Sequence, residues 1–257
     1  MNILYEDTAL VVLDKPAGLT SEEGVPAALR QRWGKPDAYV GVIHRLDTGV
    51  SGLMVYARTP GAAAALTKQV TEYAHAHGVV VEAELGKLAG VEDDIKVDAR
   101  SATFTDPEEA AEFVERTGVD SLAIAIGTSH GAYKFKGEPY LDFERLQEIH
   151  RLIPDTPLVL HGASTVLPEF VARCNEYGGE IPGAQGVPEE MIRTATQYGV
   201  CKVNIDTDLR LAMTAEIRRY LKEHPADFDP RKYLGPARDA IRKMVSHKIT
   251  DVLGWRK

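Results

Sequence analysis

Cysteine is scarce in this chain, with only Cys174 and Cys201 among 257 residues. Two cysteines cannot build a disulfide framework, so a reducing compartment is expected and the localisation reads as cytoplasmic. Long apolar runs are missing too. None approaches the roughly 20 residues of a membrane span, so no membrane partner is expected. The opening MNILYEDTAL carries acids and no basic region, so no secretory signal is visible. Basic surplus is also absent. The net charge is −8, and residues 1–69 hold seven Lys+Arg against seven Asp+Glu, so the whole acidic excess falls on residues 70–257. Neither part offers the basic surface that phosphate neutralisation requires, so RNA is not an expected partner. There is no internal repeat and no low-complexity linker.

What remains is an ordinary globular composition, 44% hydrophobic and 26% charged. The length suits one (β/α)₈ barrel or two small domains. The texture changes once, near residues 59–78. Before it, the strand-like runs NILYE, ALVVLD, YVGVIH and GLMVYA are punctuated by the turn signals KPAGL, WGKPD and DTGVSG, with one helix around Val25–Trp33. Thr59-Pro60 can start a helix that runs without a breaker to Gly78, a plausible helix terminator. One continuous helix, not a flexible linker, is therefore expected to join the two textures.

After residue 78 the rhythm is strand, loop, helix. VVVEAEL, SLAIAIG, PLVLH and CKVNI read as four successive strands. Asp106-Pro107-Glu108-Glu109 reads as a helix start, with Asp as cap and Pro at the first position. Further helices are expected at LDFERLQEIHRL, at about 168–177 and 188–198, at TDLRLAMTAEIRRYLKEH, and at about 236–252. Short apolar strands each followed by a helix predict a parallel sheet.

Polar residues gather where these strands end, the face at which parallel α/β folds bind ligands. Glu82 and Glu84 close the first strand, with Glu92, Asp93 and Asp94 in the loop beyond. The second ends in Gly127-Thr128-Ser129-His130-Gly131, the third in His161-Gly162-Ala163-Ser164, and the fourth in Asn204, Asp206 and Thr207. Two imidazoles at adjacent strand ends suit a divalent transition metal. Gly131 and Gly162 let backbone N–H groups approach an anion. Ser164, Asn204 and Thr207 add donors near helix starts, where phosphate is favoured. Each feature has a plainer reading. A lone His at a strand end is more often hydrogen-bonded structure, alternating glutamates suit a solvated edge, and acids at 92–94 suit a surface loop. Cys201 reads as a small core residue. His75, His77, His150, His224 and His247 read as surface residues of helices.

Taken together, VEAELGKLAGVEDD, DSLAIAIGTSHGAYK, PLVLHGAS, CKVNIDTDLRLAMT and FDPRKYLGPAR resemble the class II, metal-dependent fructose-bisphosphate aldolases over about residues 67–257. The resemblance implies that His130 and His161 are zinc ligands and that Glu84 is an acid able to hold the metal in an alternative position. It implies that Glu92 is the carboxylate that moves a proton on or off dihydroxyacetone phosphate. Gly131, Gly162, Ser164, Asn204, Asp206 and Thr207 resemble the residues that hold the ketose phosphate. The implied reaction is zinc-dependent, reversible aldol cleavage of fructose 1,6-bisphosphate into dihydroxyacetone phosphate and glyceraldehyde 3-phosphate. The expected fold is α/β, a partial TIM-type (β/α) barrel holding the family's last four parallel strands, preceded by a small β-rich unit. The family's first four strands, its third zinc histidine and its catalytic aspartate have no counterpart. VIHRLDTG echoes the missing His-Leu-Asp-His-Gly motif, but Thr48 stands where the ligand histidine should be. A half-barrel leaves two open edges, which a homo-oligomer or a partner could cover.

Residues 1–66 carry a second resemblance. VVLDKPAGL followed by GVIHRLDTGVSGLMVYART is similar to RluA-type RNA pseudouridine synthases, and Asp47 resembles their catalytic aspartate, with Arg45 an accompanying motif residue. The alternative expectations are thus a fragment of such a synthase and a non-catalytic protein that binds sugar phosphates.

Overall fold

The computed structural model describes residues 1–86, 89–92, 95–97, 104–135 and 137–255, with backbone alone for 89–92 and 95–97. Two compact units emerge, Met1–Glu82 with Glu112–Asp120, and Ala83–Ala111 with Ser121–Lys257.

The first unit is built on an antiparallel sheet of β1 (Asn2–Glu6), β2 (Leu10–Lys15), β3 (Gly41–Val42) and β4 (Gly52–Ala57), in the order β1-β2-β4-β3. β2 and β4 pair from Leu10↔Ala57 to Lys15↔Gly52. Alternation therefore sends Val11, Leu13, Met54 and Tyr56 to one face, where they pack with Val25 and Leu29 of α1 (Gly24–Trp33). Tyr56 is fully buried and donates its hydroxyl hydrogen to the Ser21 carbonyl at 2.9 Å. Burial pushes its pKa up. The expected joining helix is present as α2 (Pro60–Ala76). The Thr59 side chain accepts from the Ala62 amide at 3.1 Å, and Gly78 takes a φ of 70° just beyond the end.

In the second unit the four expected strands appear as β5 (Glu82–Leu85), β8 (Ser121–Ile124), β10 (Leu158–Leu160) and β11 (Val200–Val203), in the order β11-β10-β8-β5. β10 runs parallel to both β8 and β11. Every residue of β10 is buried, as are Leu122, Ala123 and Ile124 of β8, which accounts for their unbroken apolar character. Its helices are α4 (Phe143–Leu152), α5 (Pro168–Glu176), α6 (Glu189–Ala195), α7 (Thr207–Glu223) and α8 (Pro230–His247), while α3 (Pro107–Thr117) is divided between the two units. Asp106 and Asp142 cap α3 and α4, accepting amides of Glu108, Glu109 and Arg145 at 3.0 Å. Among the described residues the parallel sheet is not a closed barrel.

Several details depart from the sequence reading. A three-stranded sheet joins β6 (Ala89–Glu92), β7 (Ile95–Val97) and β9 (Ser129–His130), where only loops were expected. Asp93, Asp94 and the side chain of Glu92 lie outside the described residues. The last helix starts at Pro230, not near 236, because the Asp229 carboxylate accepts the Arg231 amide at 3.0 Å; Pro236 lies inside the helix. It ends in a π turn at Lys248–Val252. Cys201 is exposed, since β11 is an edge strand and only its Val200 turns fully inward. No helix among the described residues is long and apolar enough to cross a membrane.

Candidate functional site

The ends of the parallel strands are shaped by glycines that no other residue could replace without strain. Gly162 follows β10 with φ at 60°, and a Cβ there would lie 2.8 Å from the carbonyl carbon and oxygen of Ser129 and 3.2 Å from the His130 nitrogen. The chain leaving β10 therefore presses on the peptide that carries His130, and the two histidine segments meet. Gly131 takes a φ of 87° directly after His130.

His161 points at Glu84. Its Nδ1 is 3.2 Å from Glu84 Oε1, with the side chains 16% and 32% exposed. β8 lies between β5 and β10 in the sheet, so these two side chains reach across its end. The alternation expected of β5 holds, with Glu82 and Glu84 on its more exposed face. Among the described residues no group of three or more His, Cys, Asp or Glu side chains converges as a metal cluster. His130 is placed by β9, which pairs through Gly90↔His130 with β6.

A second polar cluster is organised around Ser164, which is buried. Its Oγ accepts the amides of Asp206 and Thr207 at 3.3 and 3.2 Å. With its lone pairs so engaged, the hydroxyl hydrogen remains free to donate. Thr207 opens α7, whose N-terminal dipole favours an anion. Asn204 is brought alongside by its amide, which donates to the Leu160 carbonyl at 2.8 Å. Asp206 is exposed and its carboxylate pairs with Arg210 one turn on, at 2.8 Å. The structure thus gathers Ser164, Asp206 and Thr207 directly, and sets His161 with Glu84 at the neighbouring strand end.

Sequence reasoning missed Lys134, which lies within the quoted HGAYK run. Its ammonium donates to the Ser129 carbonyl, and burial pulls its pKa down to about 8, with Asp208 acting in the opposite sense. Also missed was Asp208, almost wholly buried, whose carboxylate accepts Thr165 N at 2.9 Å and Val166 N at 2.6 Å. A cation four residues past a Gly-rich strand end, and an Asp two residues after another, were the only available signals. His247, taken for a surface residue, is 2.9 Å from Asp251 and 3.0 Å from Glu189.

In the first unit, Asp47 is exposed on a turn held from behind. Lys15 is fully buried and donates to the carbonyls of Leu19 at 2.8 Å and Asp47 at 3.2 Å. The Ser21 hydroxyl pins the Leu46 carbonyl at 2.7 Å. His44 Nε2 accepts the Val55 amide at 3.1 Å, and burial lowers its pKa. Arg45 pairs with Glu22 at 3.0 Å.

The family described as fructose-bisphosphate aldolase class-II matches residues 40–180 and 181–255. The match therefore begins upstream of residue 67 and takes in VIHRLDTG. A fructose-bisphosphate aldolase of Thermus caldophilus is 49% identical over 233 residues, 90% of this chain and 75% of the relative. One of Treponema pallidum is 53% identical over 204 residues, 74% of this chain and 61% of the relative. The crystal structure of a putative fructose-1,6-bisphosphate aldolase from Coccidioides immitis superposes with a TM-score of 0.53 at 29% identity, covering 74% of this chain and 57% of that one. A family match over most of the chain, together with a relative 49% identical over 233 residues, makes this chain a member of the class II fructose-bisphosphate aldolase family.

Proposed function

We propose that the second unit acts in the reversible aldol cleavage of fructose 1,6-bisphosphate to dihydroxyacetone phosphate and glyceraldehyde 3-phosphate. The observation that carries this is the pairing of a serine-centred phosphate loop with the His161–Glu84 contact at the adjacent strand end. The relatives named above bear the aldolase name, and the chain spans 61% and 57% of the second and third of them.

Zinc fits the donor types. Imidazole nitrogen and carboxylate oxygen are both zinc donors, and His161 Nδ1 lies 3.2 Å from Glu84 Oε1. His161 and Glu84 would hold the ion, with His130 offered as a further ligand by resemblance, since the described residues bring no three such side chains together. When bound, it would supply Lewis-acid polarisation of the ketone oxygen. The chain's own residues do the rest. Gly131 and Gly162 open space for backbone amides beside the phosphate, and Ser164 donates its hydroxyl hydrogen. Thr207 and Asn204 add donors, and Asp206 borders the ketose. The Lys134 ammonium lies close by, tied to the Ser129 carbonyl. Glu92 is the proposed proton carrier, by resemblance.

The family's third zinc histidine and catalytic aspartate lack clear counterparts, so weak turnover is expected from the 257-residue chain alone. The barrel is proposed to be partial, with four TIM-type strands in residues 67–257. Residues 1–66 are proposed to derive from an RluA-type pseudouridine synthase, on HRLDTGVSG and on the Lys15-braced turn bearing Asp47. Cytoplasmic localisation and a homo-oligomer that covers the sheet edges complete the reading.

A coupled aldolase assay with and without chelator tests it. Chelator-sensitive turnover supports the aldolase reading, whereas dihydroxyacetone phosphate binding without turnover favours a non-catalytic sugar-phosphate binder. Release of tritium from labelled uridine in RNA, lost in Asp47→Ala, would instead favour the synthase reading.

A further inference from the structure

The loop that carries Ser164 is held from below by a buried ionic cluster. Asp208 follows Thr207 at the start of α7, and its Oδ2 accepts both the amide and the hydroxyl of Thr165 at 2.9 Å. Its Oδ1 accepts the Val166 amide at 2.6 Å. Val166 has a φ of 51°, left-handed and unusual for a β-branched residue, so the loop needs an outside hold to keep this shape. Lys248 supplies the counter-charge. Its ammonium lies 3.2 Å from Asp208 Oδ2, 2.5 Å from Thr165 Oγ1 and 2.6 Å from Glu189 Oε1, and the residue is 4% exposed. The Thr165 hydroxyl hydrogen is committed to Asp208, so its oxygen accepts from Lys248.

Lys248 is the first residue of the π turn that ends α8, a distortion often found at functional positions. The Arg193 side chain donates to the Val252 carbonyl of the same turn at 3.4 Å. Without Lys248, Asp208 would leave a poorly compensated negative charge beneath a loop read as a phosphate site. In a buried setting that repulsion is barely screened.

We propose that Lys248 and Asp208 form a positioning pair for ketose-phosphate binding: Asp208 fixes the Ser164–Val166 loop, and Lys248 cancels the carboxylate's charge so that the loop can receive an anion. The pair rests on the phosphate-loop reading given above. It extends the site to the C-terminal end of α8.

The test measures dihydroxyacetone phosphate affinity by calorimetry for the parent, Lys248→Met, and Lys248→Met with Asp208→Asn. Lys248→Met is expected to weaken binding by roughly tenfold or more. The double variant removes the buried charge but loses one of the loop's acceptor oxygens, so it is expected to recover only part of the loss, binding at least about threefold more tightly than Lys248→Met. A merely structural role for Lys248 predicts no such recovery. Lys248→Gln, which keeps a donor without the charge, replaces the Met variant if that does not fold, and is expected to weaken binding in the same way. Equal affinity in the single variant and the parent overturns the pair, as does a double variant no better than the single one. A parent chain that binds no dihydroxyacetone phosphate overturns the site reading itself, and the pair with it.

Discussion

Gly162→Ala tests the close approach on which the site is built. The new methyl group would have to occupy a left-handed backbone position, at a cost of about 1–2 kcal/mol. It would also sit 2.8 Å from the Ser129 carbonyl, which is backbone and cannot rotate away as a flexible side chain would. Forcing such a shift in a packed region adds about 1–3 kcal/mol. The total is roughly 2–5 kcal/mol, a large part of a domain's usual stability. Amide exchange at Leu122 and Leu160, on buried strands of the same unit, reads this opening free energy directly. The same substitution pushes the His130 peptide away from β10, so zinc and phosphate affinities should fall even under conditions where the fold survives. A loss below about 0.5 kcal/mol, with unchanged ligand affinity, would refute the claim that the two histidine segments are in backbone contact.

His247 gives a pH dependence of definite sign. Hydrogen bonds to Glu189 and then Asp251 raise its pKa. The protonated form therefore adds stability that is complete below the unfolded value of about 6.5 and is lost as pH rises through the folded pKa. Thermal melts of the parent should show this decline on the alkaline side of pH 6.5, and His247→Gln should flatten it. Lys134, held to about 8 by burial, predicts that dihydroxyacetone phosphate affinity falls as pH climbs past that value. Lys134→Met should weaken binding by about 10–100-fold, the worth of a charged hydrogen bond, and should remove the pH dependence in calorimetric titrations.

Local signals made much of this molecule legible. The apolar runs SLAI and LVL are unbroken because both faces of a parallel strand are covered, and they appear as β8 and β10. Asp106 and Thr59 cap helices where their sequence context places caps. Ser164 and Thr207 meet because a strand end and a helix start on adjacent parallel strands share one face. Longer-range features stayed hidden. Lys248 reaches Thr165 across 83 positions of sequence, and no periodicity marks such a pair. Cys201 looked like core because a free cysteine usually behaves as a small buried residue, but the edge position of β11 decides its exposure. The β6–β7 hairpin was hidden by Gly and acidic residues that read as a loop, and its pairing with β9 depends on tertiary placement.

Zinc affinity tests the central claim most directly. Competition against a chromophoric chelator, run on the parent, His161→Ala and Glu84→Gln, reports whether these side chains share an ion. The account predicts one zinc per parent chain and a weakening of at least about tenfold in each variant. Equal affinity in all three proteins, or a parent that retains no zinc, would contradict it.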